Sequence, residues 1–327
     1  MFKYIFFIFC LGLIARAESL LTWSNEAPAE SISDSAVLTR DPFIVFRPET
    51  VTTAERITKS GILIYKATYK FDSHSRRETT ANQNSNYRNI VLLGCSYTLG
   101  TGLNNDETFS YFLSQRRKGQ NVYNLGIYGA GANDVLDDLR SFNRFADISK
   151  VGGVVVYTAI SDHFERTFCT LNCYRPTYRD WVLKKSNYEF DPKSSVLINR
   201  GSFRSTRLFK GPIFTALAAI PLFDNLNIPR ELTDSQIELF VRLLSEMKQI
   251  SREKLNSDFY FTLYPQMYQH WPRIKAELEK QQIKYLDLSD ADFGKVTNYS
   301  HVIPRDGHPS KLANSLYAEL LNQKLPK

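Results

Sequence analysis

Long apolar runs are almost missing from this chain. The one exception, Tyr4 to Ile14 after Lys3, is about eleven residues, whereas a membrane-spanning helix needs roughly 20. Followed by Ala15-Arg16-Ala17, it reads as a signal peptide over residues 1–17, cleaved after about Ala17. The expected mature protein is exported, periplasmic or secreted, with no stable membrane span. Cysteine is scarce too, at 4 in 327 residues. Cys10 would leave with the leader, and Cys95, Cys169 and Cys173 would remain in a compartment that permits disulfides. A small loop disulfide between Cys169 and Cys173 is expected, with Cys95 left free. No second Cys or His pair stands at ligand spacing near that pair, so neither a metal site nor a cofactor is expected. The net charge of +7 comes from scattered groups such as Arg76-Arg77, Arg116-Arg117-Lys118 and Lys184-Lys185. With no basic stripe and no nucleic-acid motif, these read as a solvated basic surface, and nucleic acid is not an expected partner.

What is present falls into three parts. Residues 18–88 read as a polar arm to about Arg40, followed by a small β-rich extension in "FIVFRP" and "GILIYKATYKF", then a polar loop from His74 to Arg88. From Asn89 to the end, apolar runs alternate with helical patterns. The runs "NIVLLG", "NVYNLGI", "GGVVVYTAI", "DFYFTLYP" and "IKYLDL" predict a five-stranded parallel sheet. Helices over about 108–117, 133–145, 234–254, 271–281 and 310–325 would cover both of its faces. Residues 165–229 carry aromatics, Pro and basic side chains without a clean period, and read as an inserted cap, partly helical around Ile213 to Ala219.

An open parallel sheet binds ligands at the carboxyl ends of its strands. The chemistry-bearing residues fall there: Gly94, Cys95 and Ser96 after the first strand, Asn124, Gly126 and Gly129 at the second, and Ser161, Asp162 and His163 after the third. The loop "PRDGHPS" follows the last strand. A serine nucleophile needs a base and a group that orients the base. His308 and Asp306 supply both from that one loop, although Asp-Gly-His followed by a helix start also suits a plain turn. Side chains alternate along a strand, so Ser96 can face the crevice while Cys95 faces the packing layer.

The blocks "GCSYTLGTGLNNDETF", "YNLGIYGAGAND" and "DGHPS", in this order, resemble the SGNH or GDSL hydrolase superfamily over about residues 89 to 325. The resemblance implies a three-layer α/β/α, flavodoxin-like fold and a serine esterase. Ser96 would be the nucleophile and Asp306 and His308 its partners, with an oxyanion hole from Ser96, Gly129 and Ser161. Two departures stand out: Cys95 replaces the usual Asp of the first block, and Ser161 replaces the usual Asn of the third. Asn124, Asp162, His163 and Arg166 are candidate substrate contacts, with packing or ion pairing an equal reading for His163 and Arg166. The implied substrates are acyl esters, acetyl or short-chain, on a small molecule or a polysaccharide on which Tyr174, Tyr178 and Trp181 would stack. An O-acyltransferase and a non-catalytic carbohydrate-binding protein of the same fold are the alternatives.

Overall fold

The computed structural model describes residues 29–32, 48–58, 60–79, 84–169, 182–205, 232–265, 268–288 and 301–326. The expected signal peptide, residues 43–47 of "FIVFRP", the expected helix at 213–219 and the cap aromatics Tyr174, Tyr178 and Trp181 lie outside them.

Three strands, β1 (Ala29–Ile32), β2 (Val51–Ile57) and β3 (Leu63–Lys70), form an antiparallel sheet in the order β1-β2-β3. Residues 29–32 fall in the stretch expected to be a loose arm, yet their backbone pairs along β2 from Ala29–Ile57 to Ile32–Ala54. β2 itself, "VTTAERI", escaped the sequence reading because its apolar positions are only Val, Ala and Ile.

The main sheet is built from β4 (Arg88–Gly94), β5 (Gln120–Gly126), β6 (Gly153–Ala159) and, beyond the hairpin β7 (Ser186–Asp191) and β8 (Val196–Ser202), β9 (Ser257–Leu263) and β10 (Lys284–Leu286). Its order is β10-β9-β6-β4-β5 and every pairing is parallel. Val91, Leu92 and Val155 are buried on opposite faces of it, which is why these strands read as continuous apolar runs. The hairpin within the expected cap was not anticipated.

The helices are α1 (Ser96–Leu99), α2 (Phe109–Arg116), α3 (Ala132–Ser141), α4 (Asp162–Phe168), α5 (Asp234–Leu255), α6 (Trp271–Lys280) and α7 (Lys311–Lys324). Right-handed crossovers fix their faces. The chain steps outward from β4 to β5 and afterwards always the other way, through β6 and β9 to β10. This sets α2 on one face, where α7 packs against it, and α3, α5 and α6 on the other. The reversal makes a crevice beside the carboxyl end of β4, the place where ligands enter such sheets. Helix α3 stops short of the expected Phe145 because Phe142 turns left-handed, with its N–H on Asp138 and its ring stacked on Phe145 at 5.7 Å. Among the described residues no helix is long and apolar enough to cross a membrane.

Several basic residues expected at the surface are interior. Arg77, 1% exposed, lies over the Tyr69 ring and donates to the carbonyls of Leu99, Gly100 and Leu103 and to Asn105 Oδ1. It thus satisfies orphan carbonyls at the end of α1. Arg76 bridges Asp72 and Asp147, and Arg117 gathers the carbonyls of Asn322, Leu325 and Pro326. Lys185 is buried against Asp134. A guanidinium with several fixed acceptors can be buried, and sequence spacing does not reveal those acceptors.

A second, small apolar core joins the N-terminal sheet to the main domain. Ala54, Tyr65, Ala67, Tyr69 and Phe71 pack with Leu99 and Leu103, which follow β4, and with Ile303, just before "PRDGHPS".

Candidate active site

Strand β4 ends at Gly94, Cys95 caps α1 in an extended conformation, and Ser96 is the first helical residue. Cys95 is fully buried in the main core and carries a free thiol. Ser96 is 4% exposed, and the first amides of α1 have no acceptor within their own helix. Gly126 is what lets α1 approach β5: a Cβ added there would lie 2.2 Å from the Leu99 nitrogen and 2.6 Å from its Cα. Backbone atoms cannot step aside as a flexible side chain can. Gly126→Ala is therefore expected to displace α1, lowering any Ser96-dependent activity by on the order of 10²-fold and stability by about 1–3 kcal/mol. Kinetics and a urea titration on the same preparation check both.

The structure brings Ser96, His308 and Asp306 together across more than 200 residues of chain. His308 Nε2 lies 2.9 Å from Ser96 Oγ, and His308 Nδ1 lies 2.6 Å from Asp306 Oδ2. An ionised carboxylate only accepts, so Nδ1 carries the proton and Nε2 is the acceptor facing the serine hydroxyl. The loop is closed by its own backbone: Ile303 N–H reaches His308 O, the amides of Asp306 and Gly307 both reach Ile303 O, and Ser310 N–H reaches His301 O. Tyr97 Oη donates to Gly307 O at 3.1 Å, and the rings of Tyr97 and Tyr128 flank His308 at 5.6 and 6.4 Å. Burial pushes the Tyr97 hydroxyl well up, keeping it a donor.

The Asp306 side chain is 0% exposed. Oδ2 accepts from the His308 amide as well as from Nδ1, and Oδ1 accepts a hydrogen bond from Nη1 of Arg56, which β2 contributes. Burial works to raise the Asp306 pKa. Contact with His308 and the charge of Arg56 outweigh it and hold the group below the usual carboxylate value. Arg56 was not legible from the sequence, since it sits 250 residues from its partner in an unremarkable strand.

Gly129 follows β5 in a turn whose Ala130 N–H bonds Ile127 O at 3.1 Å, while Ile127 N–H bonds Gly94 O at 2.9 Å. With φ of 72° at its third position, the turn needs glycine there. Ser161 lies just before α4, and its hydroxyl does not cap that helix.

Two candidate substrate contacts prove to be internal. Asn124 is 0% exposed and fully engaged: its amide donates to Thr98 O and Ser110 Oγ, and its oxygen accepts from Gly126 N–H. It braces α1 against β5. His163 is also 0% exposed, with Nδ1 2.6 Å from the Tyr157 hydroxyl. Burial, with Arg166 and Lys185 adding to it, drives its pKa well below the usual value, so the ring is neutral. Arg166, 8% exposed, donates to Ala130 O at 3.2 Å and to Asp162 Oδ2 at 3.4 Å, tying α4 to the Gly129 turn. Asp162 is partly exposed beside it. Cys169 ends α4 and is disulfide-bonded, while Cys173 lies outside the described residues.

No protein-family model and no curated protein matches the chain. Among solved structures it is similar to a protein of the lipolytic G-D-S-L family from Desulfitobacterium hafniense DCB-2, at 16% identity over 72% of this chain and 99% of that one, with a TM-score of 0.38. It is also similar to a lipolytic G-D-S-L family member from Veillonella parvula DSM 2008, at 11% identity over 72% and 97%, with a TM-score of 0.39. Likeness this distant carries no weight for activity, so the functional case rests on the geometry of this chain alone.

Proposed function

We propose that the chain is a serine esterase acting by two-step acyl transfer. One observation carries the reading: a hydroxyl, an imidazole and a buried carboxylate in hydrogen-bonded series, at 2.9 and 2.6 Å, beside the carboxyl end of β4. A turn or a helix cap needs none of that series. As Ser96 Oγ attacks the ester carbonyl carbon, its proton moves to His308 Nε2 and the carbonyl electrons move onto oxygen. Backbone amides at Ser96 and Gly129, with the Ser161 hydroxyl in place of an amide, are the oxyanion donors of this reading. Collapse expels the alcohol, which takes the proton from His308. Water then repeats the sequence, releasing the acid and restoring Ser96. From the leader expected at residues 1–17, we propose that the enzyme works outside the cytoplasm on acetyl or short-chain esters of polysaccharides.

The test uses the purified protein with nitrophenyl acetate and butyrate and with acetylated glycans. Release of acid, together with a fluorophosphonate adduct on Ser96, is the expected result. Acyl transfer to an added sugar hydroxyl in preference to water would make it a transferase. Glycan binding with neither turnover nor adduct would overturn the enzymatic reading.

A further inference from the structure

We infer that Arg56 of the N-terminal sheet is a positioning residue for catalysis, fixing the orientation of the Asp306 carboxylate and balancing its charge beside His308. The inference rests on the Ser96–His308–Asp306 reading above.

How Arg56 is bonded separates it from three other arginines of the interior. Arg76 reaches two carboxylates, Arg77 reaches three carbonyls and a side-chain amide, and Arg117 reaches three carbonyls and a side-chain amide. Each is a strut holding several segments at once. Arg56 instead meets one acceptor, Asp306 Oδ1, and its buried Nε has no hydrogen-bond partner among the described residues. A guanidinium so placed contributes little as a strut, so its effect falls on the carboxylate it touches. Its strand is fixed independently. Ala54 of β2 is buried in the small core with Leu99 and Ile303, so the same packing seats the arginine, the segment after Ser96 and the His308 loop.

Two consequences follow. Oδ2 takes both hydrogen bonds from His308, so Arg56 on Oδ1 stops the carboxylate from rotating out of line. The guanidinium also balances the Asp306 charge beside the imidazole, so removing it leaves that carboxylate unopposed next to the ring. Among the described residues, the rings of Tyr97 of α1 and Tyr128 of the Gly129 turn flank His308, and Arg56 and His308 are the charged partners of Asp306. Asp162 and Arg166 at α4 act on Tyr97. All but Arg56 stay unchanged in the comparison below.

The test measures the rate of Ser96 labelling by a fluorophosphonate against pH, a reaction in which the serine oxygen displaces fluoride and its proton leaves through His308. It needs no knowledge of the natural ester. Arg56→Gln is expected to lower the plateau rate by on the order of 10²-fold and to move the acidic limb to higher pH by about one unit. Arg56→Lys keeps the charge without the fork, so its limb should stay near the wild-type position while its plateau falls between the two. A folded Arg56→Gln with unchanged plateau and limb overturns the proposal, as does an Arg56→Lys limb that moves as far as that of the glutamine variant. If neither variant folds, Arg56 is a structural strut and the proposal is wrong. Ser96→Ala runs alongside: labelling that persists there defeats the triad reading itself, whatever Arg56 does.

Discussion

Ser96→Ala should lower ester turnover by about 10⁴-fold to 10⁶-fold while the protein stays folded, because a nucleophile and its base act as one unit. The side chain is small and makes its functional contact at its tip, to His308 Nε2 at 2.9 Å. Removing the hydroxyl leaves β4, α1 and the packing of Cys95 in place. His308→Ala should cost a similar factor, and the double variant should be little worse than either single one, since the second substitution finds no working relay left to break. Cys95→Ala is the informative control. Its thiol is buried in the core, 3.9 Å from Ser96 Oγ, and its removal should cost about 1 kcal/mol of stability with activity largely retained. Turnover that survives Ser96→Ala and vanishes with Cys95→Ala would move the nucleophile to the thiol. Steady-state kinetics on nitrophenyl acetate, with each protein checked by circular dichroism, decides among these outcomes.

The main sheet was legible because burial on both faces leaves no room for polar residues, so Ile90 to Leu93 and Val154 to Tyr157 read as strands by composition alone. The residues of the relay could be singled out because each stands at a strand end or in the last loop. Their spatial approach could not be read, since it depends on folding the last loop over β4. Position after a strand also misled. Asn124 and His163 stand where site residues belong, yet a side chain at a strand end can turn inward, and these two brace α1 and fill the space beside Tyr157. Basic pairs misled in the opposite direction. Nothing local marks Arg77 or Lys185 as buried, because the groups that make burial tolerable come from distant segments. The same holds for Arg56. The N-terminal sheet reads as an appendage until Tyr65, Tyr69 and Ala54 are seen packed on Leu99 and Ile303, which makes it part of the wall that holds both loops of the site.

Lys185→Met tests a fully buried ion pair and is expected to destabilise the protein by about 3–5 kcal/mol. Lys185 and Asp134 are both fully buried at their side chains and paired with each other. Burial pushes the Asp134 carboxyl up and the Lys185 ammonium down, and each partner's charge opposes the shift in the other. Methionine fills the lysine's space but brings no charge. Asp134 would keep the Gly131 N–H at 2.7 Å on Oδ2, while Oδ1 already has no hydrogen-bond partner among the described residues. A buried carboxylate so poorly matched must take up a proton, at a free-energy cost that grows as pH rises. The loss should therefore be smaller at pH 5 than at pH 8. The double variant Asp134→Asn with Lys185→Met removes both charges and keeps an acceptor for Gly131, so it should recover most of the loss. Urea midpoints for wild type, both single variants and the double variant form the cycle. Equal losses in Lys185→Met and the double variant would show that packing, not the unpaired charge, is responsible. Activity should follow stability here, because Asp134 anchors the Gly131 amide directly after Gly129 and Ala130, so a destabilised Asp134 region strains the turn proposed to supply an oxyanion donor.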